Sequence, residues 1–232
     1  MKHYYTPEWL SYVFCGGIIF LVFKVALLAR KGNQKAFYAV LGFFGVYMSY
    51  ISYASFNGWF DVVSFPPRVL RITTLFFVVF LFLILANIPS YKLLMKRLTL
   101  HDLIRVHIFR LVGVTFLLLA FYDALPKTFA LIAGCGDMIT ALSSIYVAKK
   151  VEKGATNARK LAYIWNTFGF VDIVFTAFAA NYLTKVSIDT GSMGVDTLAR
   201  FPFCFIPAIA PPLIWFLHSA IYKKLNETSP TE

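Results

Sequence analysis

The chain has 232 residues, 59% of them apolar and 18% aromatic, with a mean hydropathy of +0.70, well above the roughly 45–50% apolar content of soluble domains. That excludes an ordinary soluble fold. The polar intervals at 56–68 and 184–200 are too short to bury a second core, so residues 1–232 read as a single transmembrane domain. A net charge of +11 would suggest nucleic acid in a soluble protein. Here the charges collect between apolar runs, so the expected partner is the lipid bilayer and not nucleic acid.

Seven apolar runs have spanning length, at about 9–29, 37–55, 70–88, 103–122, 128–148, 161–183 and 201–222. An all-α seven-transmembrane-helix bundle follows. The N-terminal stretch before the first run lacks the basic region and cleavage site of a signal peptide, so that run is expected to be kept as a helix. The second run carries Tyr47, Tyr50 and Tyr53 at a spacing of three, an interfacial belt or a ligand-facing stripe. The third has almost no polar group in its middle and is expected to face lipid. The seventh contains Pro202, Pro207, Pro211 and Pro212, which remove backbone donors and predict a kinked helix beside a packing partner or a cavity. The stretch from Asn226 onward is a short polar tail. Its Asn-Glu-Thr pattern is discounted as a glycosylation site because the topology places it in the cytoplasm.

Of the 22 Lys and Arg, fourteen fall in one set of alternate loops, six in the other, and Lys24 and Arg110 lie within helices. The positive-inside rule then puts the N-terminus outside and the C-terminus in the cytoplasm. Cys15, Cys135 and Cys204 lie in apolar runs without metal-type spacing, and His101, His107 and His218 show no regular ligand spacing. No metal or other cofactor is expected.

The residues that carry information are two acids inside apolar helices. Asp137 lies ten residues past Lys127 and Asp172 twelve past Lys160, which at ~1.5 Å per residue puts both near the middle of a ~30 Å hydrocarbon layer. An ionisable group there costs on the order of 2.5–3.5 kcal/mol and reads as a site by default. Asn166, His218, Lys24 and Arg110 sit nearer the cytoplasmic boundary, about 7–9 Å below it, with His101 and His107 nearer the surface still. Lys24 reads as snorkelling. Arg110 either snorkels or pairs with Asp137 or Asp172 to remove the charge penalty. Each acid follows a glycine by three residues, Gly134 and Gly169. The shared frame fits an inverted repeat or a close helix contact, and both bring the acids face to face.

Gly134-Cys-Gly-Asp137 resembles the Gly-x-Gly-Asp of presenilin-type intramembrane aspartyl proteases, and Tyr122-Asp123 resembles their Tyr-Asp. That would imply an aspartyl pair, but Asp123 falls at the outer boundary, fourteen residues before Asp137. The seven helices resemble rhodopsins, yet no lysine lies inside the last helix for a retinal Schiff base. The stretches from Ala124 to Asp137 and from Trp165 to Asp172 are similar to an uncharacterised group of small bacterial multi-pass proteins. That resemblance implies a bacterial inner-membrane setting and no particular activity.

Three classes of function stay open. The first is a small-solute or ion binder, a proton-coupled transporter among its forms. Asp137 and Asp172 would be its proton- or cation-binding pair, Arg110 their counter-charge, and Asn166 and His218 a polar path to the cytoplasm. The second is a non-catalytic accessory or sensor subunit. The third is an intramembrane enzyme, a two-carboxylate hydrolase or a histidine-based redox protein. Substrate, direction of transport and oligomeric state are not legible.

Overall fold

The computed structural model describes residues 5–227, all of its regular elements helical. The leader reading rests partly on residues 1–4, and most of the polar tail follows Glu227, so both readings lie outside the described residues. Among the described residues, seven helices are long and apolar enough to cross a membrane: α1 (Glu8–Arg30), α2 (Gln34–Phe56), α3 (Leu70–Asn87), α5 (Leu100–Phe121), α6 (Lys127–Glu152), α7 (Ala158–Thr190) and α8 (Phe205–Glu227). This is the make-up of a multi-pass membrane protein. A short helix, α4 (Pro89–Arg97), lies between α3 and α5 in a stretch expected to be a loop, with no buried residue of its own.

Local chemistry sets the boundaries. Asn33 caps α2 by accepting from the Ala36 amide at 2.7 Å. Thr99 and Asp102 form a reciprocal capping box at the start of α5. Asp102 also takes Lys31, which ties the α1–α2 turn to α5. Gly191, at φ +68°, ends α7 in the left-handed conformation that favours glycine. Both α6 and α7 outrun the apolar runs that announced them. Helical hydrogen bonding continues through Lys149 and Lys150 and begins before Arg159, whereas hydropathy stops at the first charge. The seventh run starts too early, because Pro202 lies in the turn before α8.

Two helices depart from regular α geometry. α3 contains π-helical turns at Leu70–Thr74 and Phe80–Ile84. In α5 the stretch Val106–Gly113 is 3-10 helix over 8 residues, long for a conformation that rarely runs beyond three or four. A 3-10 turn repeats every three residues, so His107, Arg110 and Gly113 stack in one column along one side of α5. A regular α-helix would fan them apart.

α7 packs against α6 and α8, α6 against all of α5, and α5 against α1, while α8 also meets α3 and α2. α8 is the most buried span, and α2 and α3 are the least. The expectation that α3 faces lipid holds for one side only: Leu75 and Phe76 are exposed, but Thr73, Phe77 and Leu81 are buried. The large core cluster includes Phe109, Phe116, Ala133, Ile173 and Leu217. A smaller one, with Leu103, Ile104, Val147, Trp165 and Ile221, fills the other end of the bundle. Between the two, on α5 to α8, lies a layer of buried polar residues.

α8 stays helical through its prolines because its neighbours replace the missing donors. Pro211 and Pro212 have no N–H for the carbonyls of Pro207 and Ala208, four residues earlier. Thr74 donates to the Pro207 carbonyl at 2.6 Å. The Tyr47 hydroxyl lies 3.2 Å from the Ala208 carbonyl and 2.9 Å from that of Thr73, sharing its one proton. Tyr47 is thus a structural brace, Tyr50 reaches the Ile72 carbonyl, and Tyr53 is exposed beside Trp59.

Candidate functional site

Arg110 is the largest fully buried side chain, at 1% exposure. Its guanidinium binds both acids: Nε donates to Asp137 Oδ1 and Nη2 to Asp172 Oδ2, each at 2.6 Å. Nη1 donates to the Gly169 carbonyl at 3.1 Å and lies 3.3 Å from His218 Nε2. Four of the five guanidinium donors are therefore used.

Glycines make room for this arrangement. A Cβ on Gly113 would strike the Asp137 side chain, one on Gly136 the Asp172 carboxylate, and one on Gly169 the His218 ring and Thr140. Three helix contacts are therefore close enough to bring polar side chains against backbone. Gly134 fits the close-contact reading as well, though its neighbour is Leu117 and not an acid.

His218 and Asn166 form a reciprocal pair. Asn166 Nδ2 donates to the His218 carbonyl at 3.2 Å, and His218 Nδ1 lies 2.7 Å from Asn166 Oδ1. Those partners assign the proton to Nδ1, which leaves Nε2 as an acceptor facing Arg110 and the imidazole neutral. The spacing-based reading put Arg110, Asn166 and His218 nearer one face than the acids. The structure joins all five, because the long Arg110 side chain bridges the difference in depth.

His107, which spacing puts nearer the cytoplasmic surface than Arg110, is fully buried within the bundle, its ring centroid 4.3 Å from that of His218, and neither ring nitrogen has a hydrogen-bond partner among the described residues. The three-residue repeat of the 3-10 stretch turns it inward beneath Arg110. Trp165 packs edge-on against His107 and donates to the Thr140 carbonyl and the Ser143 hydroxyl at 3.2 and 3.1 Å. Nothing in hydropathy or spacing singled out Trp165. Lys24 lies outside the cluster, its ammonium 5.9 Å from the Phe20 ring centroid. Asp123 sits in a turn at φ 51°, largely exposed and 3.4 Å from Lys127, so the Tyr-Asp and Gly-x-Gly-Asp elements do not form one site.

The charges do not balance. With both carboxyls ionised and both imidazoles neutral, two carboxylates against one guanidinium leave the cluster one negative charge in surplus. The guanidinium is sealed, whereas the Asp137 and Asp172 side chains keep 11% and 10% exposure, so the acids form the accessible face. A cavity of about 400 Å³ reaches Gly113 and Asp137 from the end of the bundle that carries the α2–α3 loop and Val195–Ala199. α3, α7 and α8 form about half of its wall, and the two loops much of the rest. Chemically, the arrangement can hold one proton or one cation at an acid that faces open space.

No curated protein and no solved structure matches the chain. Residues 67–226 match the family described as domain of unknown function DUF8737, a range that takes in α3 to α8 and every residue of the Arg110 cluster. The chain belongs to that family.

Proposed function

We propose that this protein is a multi-pass protein of the bacterial inner membrane that binds a proton, or a small cation or solute, at Asp137 and Asp172, and that proton-coupled transport is the activity this site serves. Arg110 is the counter-charge, and Asn166 and His218 begin a polar path toward the cytoplasm. The excess of Lys and Arg in one set of loops supports an outside N-terminus and a cytoplasmic C-terminus.

The surplus negative charge carries the reading. One carboxylate would neutralise Arg110; a second, in the bundle interior, costs on the order of 2.5–3.5 kcal/mol and adds nothing to packing that asparagine could not supply. An ionisable group kept at that cost is explained by the binding of a positive charge. The cavity at Asp137 gives that charge a place to arrive.

The test is thermal stability of the purified wild type and of Asp137→Asn and Asp172→Asn, between about pH 5 and 8 with and without sodium or potassium. The wild type should change its melting temperature with pH or cation, and both variants should lose that response. If all three melt alike throughout, the polar layer is helix glue and the accessory-subunit reading replaces this one.

A further inference from the structure

We infer that the cavity above Asp137 is a binding site for an organic cation with an apolar body, a protonated amine or quaternary ammonium whose charge lies against Asp137. This rests on the reading of the cluster as a cation site and adds the chemical class of its ligand.

The walls decide the body of the ligand. Ile18, Val112, Phe116, Ile173, Ala177 and Ile206 enclose most of the space, and the volume of about 400 Å³ falls within the roughly 300–1,000 Å³ of sites that enclose drug-sized molecules. A bare metal ion would leave nearly all of this apolar surface without a partner. The charged groups decide the sign. Asp137 lies at the inner end and Asp196 toward the outer end, while among the described residues no Lys, Arg or His lines the cavity. An anion would meet two carboxylates and no counter-charge, since Arg110 is sealed behind the acids.

One further polar group points the same way. Thr176 lines the cavity and is 8% exposed, and its hydroxyl has no partner among the described residues. Orphaned buried polar groups are rare in folded proteins and call for a missing partner. A protonated amine held against Asp137 supplies a donor for the Thr176 oxygen, and Trp215, also in the cavity wall, supplies an aromatic ring of the kind that attracts a cation.

The experiment compares benzyltrimethylammonium with neopentylbenzene, which has the same shape and no charge. Each is titrated into the detergent-solubilised protein, with melting temperature and calorimetric heat as readouts. Expected is saturable binding of the cation, at least about tenfold tighter than its neutral isostere. Benzenesulfonate should not bind. Asp137→Asn should weaken the cation at least about tenfold while leaving the isostere unchanged, and Asp172→Asn, which also removes the surplus charge, gives the same reading if the first variant does not fold. Ala177→Trp, which fills the cavity wall, should abolish binding of the cation.

Equal binding of cation and isostere, or cation binding that survives Ala177→Trp, overturns the inference. So does the absence of cation binding. The pH response of the probe-free wild type separates the two levels: if it is present while the cation fails to bind, only the ligand class is wrong, and if it is absent as well, the cation site itself falls.

Discussion

Two regions of this bundle bury polar groups deep among apolar side chains, and they do so in opposite ways. Where α2 and α3 meet α8, neutral hydroxyls of Tyr47 and Thr74 meet the two carbonyls freed by Pro211 and Pro212, and no charge is buried. Where α5, α6, α7 and α8 meet, Arg110 holds two acids at once, and with both ionised a negative charge is left over. The first region is neutral as it stands and reads as structure. The second is complete only with something positive added, which is the physical mark of a site. Burial and hydrogen bonding alone do not separate them; the residual charge does.

The comparison breaks most visibly at Arg110. Arg110→Leu should lower stability by about 3–5 kcal/mol, because it leaves two carboxylates buried without a counter-charge. Adding Asp137→Asn or Asp172→Asn should recover part of that loss. Chemical-denaturant melts of the single and double variants in detergent measure both effects, and strictly additive losses would show that Arg110 does not hold the acids.

Gly136 should come next. A side chain there must displace the Asp172 carboxylate, so Gly136→Ala should cost about 1–3 kcal/mol by overpacking. Gly16, whose added Cβ would meet nothing within 4 Å, supplies the control: Gly16→Ala should not destabilise.

The smallest effect belongs to the neutral region. Thr74→Val removes one donor to the Pro207 carbonyl, and membrane hydrogen bonds contribute about 0.6 kcal/mol on average and up to ~1.7. The variant should lose no more than that and keep the wild-type dependence on pH. A larger loss, or an altered pH response, would mean that the two regions are coupled.

The sequence carried the seven spans and the prominence of Asp137 and Asp172, because length, hydropathy and charge position are one-dimensional properties. The pairing of Arg110 with an acid was open there as one of two readings, since counting residues locates a backbone and not the end of a long side chain. Arg110 as counter-charge to both acids belonged to the binder reading, but that its Nε and Nη2 would each take one of them was not legible. Nor was the inward turn of His107, which depends on a switch from α to 3-10 geometry that no composition signal announces. The partners of the Pro207 and Ala208 carbonyls were invisible for a related reason. Prolines reveal which carbonyls lose their donors, but only the packing of α2 and α3 on α8 shows that Tyr47 and Thr74 supply the replacements.

The central claim is the surplus charge, and infrared difference spectroscopy reads it most directly. Purified wild type, Asp137→Asn and Asp172→Asn are acidified from about pH 8 to pH 5 in buffer of low and constant sodium concentration, free of organic cations, so that the proton is the one cation whose concentration changes. The wild type should gain the carbonyl stretch of a protonated carboxyl group shielded from solvent, and each variant, its charges balanced, should lack it. A wild-type spectrum with no such band, or the same band in all three proteins, would contradict the account.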